Sequence, residues 1–360
     1  MLPYFIFLFI VIIVSSLLQR FRHTPYLSSL FKFILFLVLV LFASLRNASV
    51  GTDTNNYVGS FLSDRNRGYN IFEIQSSIET GYLFLERFAQ LLTDQYWVLL
   101  LLVAMITVYF YLKTILKLSK NYGISFLVFI TLGSYLFFFN GARQGIAAAI
   151  FSFSIIEIKK RNLKKYLLWI ALAFLFHKTV IITTPLYYIL RLKYSTKNLI
   201  IIIASSLLLI NFSFDLLLIF PESFIDRFNV YENRGSRGGL LLTIFYVSIT
   251  FIFIFLHKFI SLRSRKDYDV YLNMTIFSSI IYSGVYLAGL DINLVRLSLY
   301  FSLGFVLIWP IIFKDIQHKL LPLLFVFFIF GHLIFYYVYL DKMADLIPYK
   351  LNKVLFLLWE

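Results

Sequence analysis

Apolar runs of about 20 residues, broken by short polar clusters, recur along the whole chain. Taken as spans, they predict helices over 2–18, 28–45, 96–118, 124–139, 143–158, 198–219, 240–257, 270–289, 293–313 and 320–340. No period-two alternation runs through these segments. Lipid leaves a spanning segment no backbone partner outside a helix or a closed barrel, so a barrel is excluded. The predicted class is an all-α polytopic integral membrane protein of about 10–12 transmembrane helices, one of them re-entrant or broken.

The polar clusters set the topology. Segments 19–32, 113–121, 157–165, 191–197, 258–269 and 314–319 hold 20 of the 33 Lys and Arg but only 4 of the 18 acids. Basic loops remain on the cytoplasmic side, which places the amino terminus outside and these turns inside. The start, Met1 to Val14, lacks a basic n-region and a small-residue cleavage pattern, so it reads as a retained span. One apolar stretch, 166–190, resists this scheme because both its flanks are basic. A re-entrant hairpin or broken helix with His177-Lys178 near its apex fits; one long tilted helix is the rival. The external face then carries a long loop, 46–96, in which Glu79 to Leu92 reads as an amphipathic helix on the surface. A second external loop, 220–239, reads as a mobile lid. The whole chain, 1–360, reads as one polytopic domain.

Composition narrows the function classes. At 60% hydrophobic and 14% charged the chain is no soluble domain, and with no cysteine it holds neither disulfide nor thiolate site. The net charge of +15 sits in the short loops that set topology, so it does not imply a nucleic-acid partner. No His, Asp and Glu grouping has metal-ligand spacing, and no cofactor motif is present.

Four polar clusters remain once topology is explained, all assigned to the external side. They are Arg46 with Gly51 to Tyr57, then Arg143-Gln144, then His177-Lys178, then Asp291 with Arg296. A charge at membrane depth is costly unless it faces a cavity and has a partner, so Arg143 reads as a functional cation. Guanidinium groups match phosphate oxygens bidentately, and arginines at the edge of an apolar groove suggest an anionic, lipid-linked ligand. His177 suits a general base; Asp53 and Glu79 are rivals for that role.

At these positions the chain resembles a known family. Arg46-x4-Gly51-Thr52-Asp53-x2-Asn56-Tyr57, Glu79-x-Gly81-Tyr82, Arg143-Gln144-x-Ile146-Ala147, Phe176-His177-Lys178 and Arg296-x3-Tyr300 are similar to the EpsG family of Wzy-type bacterial polysaccharide polymerases. The resemblance implies a GT-C-like architecture and a metal-independent glycosyltransferase. Its substrates would be undecaprenyl-pyrophosphate-linked oligosaccharides, joined at the outer face of the plasma membrane in exopolysaccharide, capsule or O-antigen synthesis. A chain-length regulator and a flippase are the partner proteins it implies. His177, Arg143, Arg296, Asp53 and Glu79 become the expected catalytic set, and Arg46, Tyr57, Gln144, Lys178 and Tyr300 the expected substrate-binding set. A glycan ligase and a flippase or transporter are the alternatives; transporters favour internal repeats, and none is visible here.

Overall fold

A computed structural model describes residues 1–66, 78–218, 239–289, 292–342 and 345–352. The chain runs through α1 (Leu2–Arg20), α2 (Pro25–Ser44), α3 (Thr54–Asn66), α4 (Thr80–Leu92), α5 (Trp97–Leu118), α6 (Tyr122–Thr131), α7 (Phe137–Asn140), α8 (Ala142–Lys160) and α9 (Leu163–Phe174). A 3-10 turn, Lys178–Thr183, follows, then α10 (Leu186–Ile189), α11 (Thr196–Leu218), α12 (Leu240–Leu256) and α13 (Leu262–Leu287). A 3-10 segment, Ile292–Phe301, leads into α14 (Leu303–Asp315), and α15 (Leu321–Lys342) is the last helix described. Among the described residues the only β pairing is an isolated bridge between Arg46 and Leu351, and seven helical stretches are long and apolar enough to cross a membrane. The protein is an all-α polytopic membrane protein.

The chain divides into two compact units. The first comprises 1–153, 175–177 and 319–360; the second comprises 154–174 and 178–318. In the first unit α1 packs on α2 and α6, and α2 packs on α5. The tail returns to the end of α2: Tyr349 stacks on Phe42 and donates its hydroxyl to the Phe42 carbonyl at 2.7 Å. Asn47 and Asn352 exchange backbone bonds with Lys350 and Leu45, and Tyr4 donates to the Leu346 carbonyl at 2.6 Å. In the second unit α13 is the central helix, packed against α11, α12, α14 and the 3-10 segment before α14.

Expected and observed helices differ in places. The helix predicted over 124–139 stops at Thr131 and resumes only for Phe137–Asn140. Gly133 adopts φ +74, and a β-carbon there would lie 2.5 Å from the Tyr339 ring, so the break depends on glycine. The stretch 166–190 is segmented, as a broken helix requires: α9 ends at Phe174, residues 175–177 are non-helical, and a 3-10 turn precedes α10. The expected lid over 220–239 lies outside the described residues except for Gly239, which begins α12 with φ +104.

Candidate active site

The site is built from three places in the first unit. Glu79 precedes α4 in extended backbone and makes no capping bond with its side chain, which leaves the carboxylate free to reach away from its own helix. Arg143 is the second residue of α8, in a first turn where the helix dipole disfavours a cation. A carboxylate partner offsets that cost. His177 lies in the non-helical stretch where α9 has ended, and this stretch packs with the first unit. The Gly81 N–H donates to the Leu175 carbonyl at 2.8 Å and fixes the stretch to the start of α4.

These elements bring one carboxylate between a cation and an imidazole. Glu79 Oε2 accepts from Arg143 Nη1 at 2.5 Å, and Glu79 Oε1 lies 2.9 Å from His177 Nδ1. The Glu79 side chain is 2% exposed, whereas Arg143 is 24% and His177 19% exposed. The carboxylate is therefore buried, and the two groups it holds are partly exposed. Burial alone would raise the Glu79 carboxyl; the hydrogen bond and charge of His177, then the charge of Arg143, outweigh it and hold the carboxyl down at about 2. With Nδ1–H donated to a carboxylate, the imidazole keeps Nε2 as its acceptor. Such a pair can take a proton at His177 Nε2 and present a guanidinium to an anion at Arg143.

Other expected residues frame this pair. Arg46 is 1% exposed: its guanidinium stacks on the Phe139 ring at 4.2 Å, donates to Thr54 Oγ1 at 3.3 Å and donates to the Ala43 carbonyl. Thr54 in turn donates to the carbonyls of Val50 and Phe139, so the Arg46 to Tyr57 motif ties the end of α2 to the start of α3 and to α7. Asp53 immediately precedes α3, its carbonyl accepting from the backbone N–H groups of Asn56 and Tyr57. The Tyr57 hydroxyl accepts from the Ala142 N–H at 3.1 Å, one residue before Arg143, and Gln144 is buried beside it in sequence.

The second unit carries the rest. Lys178 opens its 3-10 turn, and the next residue, Thr179, shares a hydroxyl bond of 2.9 Å with the buried Tyr300. Tyr300 and the half-buried Arg296 belong to the 3-10 segment Ile292–Phe301, which opens the span expected as a helix over 293–313. Asp291 lies outside the described residues. Among the described residues no group of three or more His, Asp or Glu is placed to hold a metal ion.

The expectation for α4 needs correction. Its polar residues were expected in solvent, yet Glu79, Glu86 and Arg87 are all buried, and Arg87 Nη1 donates to Gln90 Oε1 at 3.3 Å. Gln90 Nε2 donates to the Phe61 carbonyl of α3. The exposed face is Phe84, Phe88, Leu91 and Leu92. An amphipathic helix against a protein polar interior turns its polar side inward, and hydrophobic periodicity alone does not tell which side faces out. Sequence reasoning also passed over the part played by Gly81, although the glycine stands in the quoted motif.

The model of the EpsG family matches residues 29–351, nearly the whole chain. The chain belongs to the EpsG family. The motifs that carry the resemblance all fall within the matched range, and the Glu79, Arg143 and His177 cluster joins three of them. Membership makes this EpsG protein a polymerase-like membrane protein of polysaccharide biosynthesis. Comparison with curated proteins and with solved structures finds no match in either.

Proposed function

We propose that this EpsG protein polymerises oligosaccharide repeat units carried on undecaprenyl pyrophosphate, at the outer face of the plasma membrane. A hydroxyl on one lipid-linked unit attacks the anomeric carbon of the glycan on another. The new glycosidic C–O bond forms as the bond from that carbon to the pyrophosphate oxygen breaks. Undecaprenyl pyrophosphate leaves with the electron pair, and the hydroxyl proton passes to His177 Nε2. The leaving group gathers negative charge as the bond breaks, and Arg143 is the cation assigned to it. The observation that supports this most is the partly exposed Arg143 and His177 held on one buried carboxylate.

Tyr57 and Gln144 position substrate in this reading. Arg296, Lys178 and Tyr300 belong to the second unit, and each is proposed to act on substrate from there. Asp53 contributes to sugar binding. Arg46 enters as the residue that fastens α2, α3 and α7 around the site, because its guanidinium is engaged with Phe139, Thr54 and Ala43. The chain-length regulator and flippase are proposed as partner proteins in the same assembly.

Purified protein in nanodiscs, supplied with lipid-linked repeat units, tests the reading. Wild type should give a ladder of polymer. Arg143→Lys and Arg296→Lys keep charge but lose the bidentate fork, and both should lose most of the ladder. His177→Gln should slow it by about a hundred- to ten-thousandfold while donor still binds. A normal ladder from all three variants would remove the assignment.

A further inference from the structure

Two features of the first unit have no part in the reaction as written: a buried carboxylate that never faces substrate, and a glycine pressed against a carbonyl. We propose that Glu79 and Gly81 together form a positioning device that fixes the tautomer and place of the His177 ring and aims Arg143. This rests on the reading of His177 as base.

One carboxylate spends its two oxygens on two different side chains, from positions 64 and 98 residues away in sequence. The Oε1 to Nδ1 contact selects the tautomer with Nε2 as acceptor, the form a base for a hydroxyl needs. A carboxylate behind an imidazole acts in this way without itself becoming protonated. The titratable groups facing Arg143 come from several elements: Glu79 at the start of α4, and the neutral phenols Tyr57 and Tyr82 from α3 and α4.

Gly81 sets the spacing. Its N–H donates to the Leu175 carbonyl, and a β-carbon at 81 would stand 2.7 Å from that same oxygen and 3.0 Å from the carbonyl carbon. The two nearest atoms belong to the backbone, which cannot swing aside as a side chain can. Any larger residue therefore pushes the 175–177 stretch off the start of α4 and draws His177 away from Glu79. The glycine is required by close approach and not by an unusual φ. Gly59 in α3 offers the contrast, since nothing lies within 4 Å of a β-carbon built there.

The ring nitrogens of His177 give the direct test. Protein labelled with 15N-histidine carries five histidines, and the His177 signals are those missing from His177→Gln. In wild-type nanodiscs at neutral pH the neutral ring should be protonated at Nδ1 and bare at Nε2. Glu79→Leu should lose that preference. Gly81→Ala should weaken it and cut kcat by about ten- to a hundredfold, the scale of a misplacement near 1 Å, with KM for the lipid-linked donor moving less than kcat. Gly59→Ala should behave as wild type on both measures. A wild-type ring protonated at Nε2, or a preference unchanged in Glu79→Leu, overturns the device, and so does a Gly81→Ala protein indistinguishable from Gly59→Ala. The wild-type spectrum decides even where a variant fails to insert. Failure here leaves polymerisation standing, whereas loss of the ladder assay removes the reading on which the device rests.

Discussion

A carboxylate held near 2 is a weak base, and this separates the roles that Glu79 could fill. It stays ionised at any working pH, gives its charge to its two neighbours and leaves proton transfer to the imidazole. Its folded value lies below the ordinary 4.5, so the stability it contributes is complete above about pH 4.5. That contribution is lost as pH falls through the window from 4.5 toward 2. The thermal midpoint of nanodisc-embedded protein should therefore drop between pH 5 and pH 3 more steeply in wild type than in Glu79→Gln. Equal slopes would mean that Glu79 is not held down by its partners. At this scale the sequence exposes which residue types matter: Arg143, His177 and Glu79 stand out as polar groups in an apolar chain. It cannot expose that they meet, because the contacts join positions far apart in sequence. Arg87 shows the opposite failure, a charge that reads as solvated and is buried beside Gln90.

Helices are the best-read level, for a physical reason: bilayer thickness imposes a length on apolar runs that hydropathy detects directly. Where the backbone bends inside an apolar run, that signal is blind. The break after Thr131 lies among Leu132, Gly133, Ser134, Tyr135 and Leu136, and only the glycine hints at it. The helix α13 begins at Leu262, eight residues before the span expected from 270, because its charged first turns remain helical and Asp269 pairs with His257 at 2.8 Å. The segmented stretch from α9 to α10 matters most for function, since His177 lies at its break. Its basic flanks predict that it enters and leaves on one side. The chain has no cysteine, so single cysteines report cleanly. Lys120→Cys and Ser195→Cys should stay unlabelled by an impermeant thiol reagent added to whole cells, and Ser63→Cys should label. All three positions are exposed in the folded chain, so protection reports sidedness. Labelling at Ser195 from outside would require a single crossing between 166 and 190.

For the whole molecule, family membership and the apolar helices establish a polymerase-like membrane protein, and the choice among polymerase, ligase and flippase rests on what the cell accumulates without it. Continuous apolar spans give no composition shift or linker along the chain, so the sequence marks no boundary of any kind. The distinguishing feature of a polymerase is that its substrate has already crossed the membrane and lacks only joining. Lipid-linked intermediates should therefore be measured in a deletion strain, with sidedness read by an impermeant sugar-oxidising or enzymatic probe on intact spheroplasts. The account predicts single repeat units on undecaprenyl pyrophosphate accumulating at the outer face, with polymer restored by the wild-type gene and not by Arg143→Lys. Units trapped at the inner face, or normal polymer in the deletion strain, would contradict it.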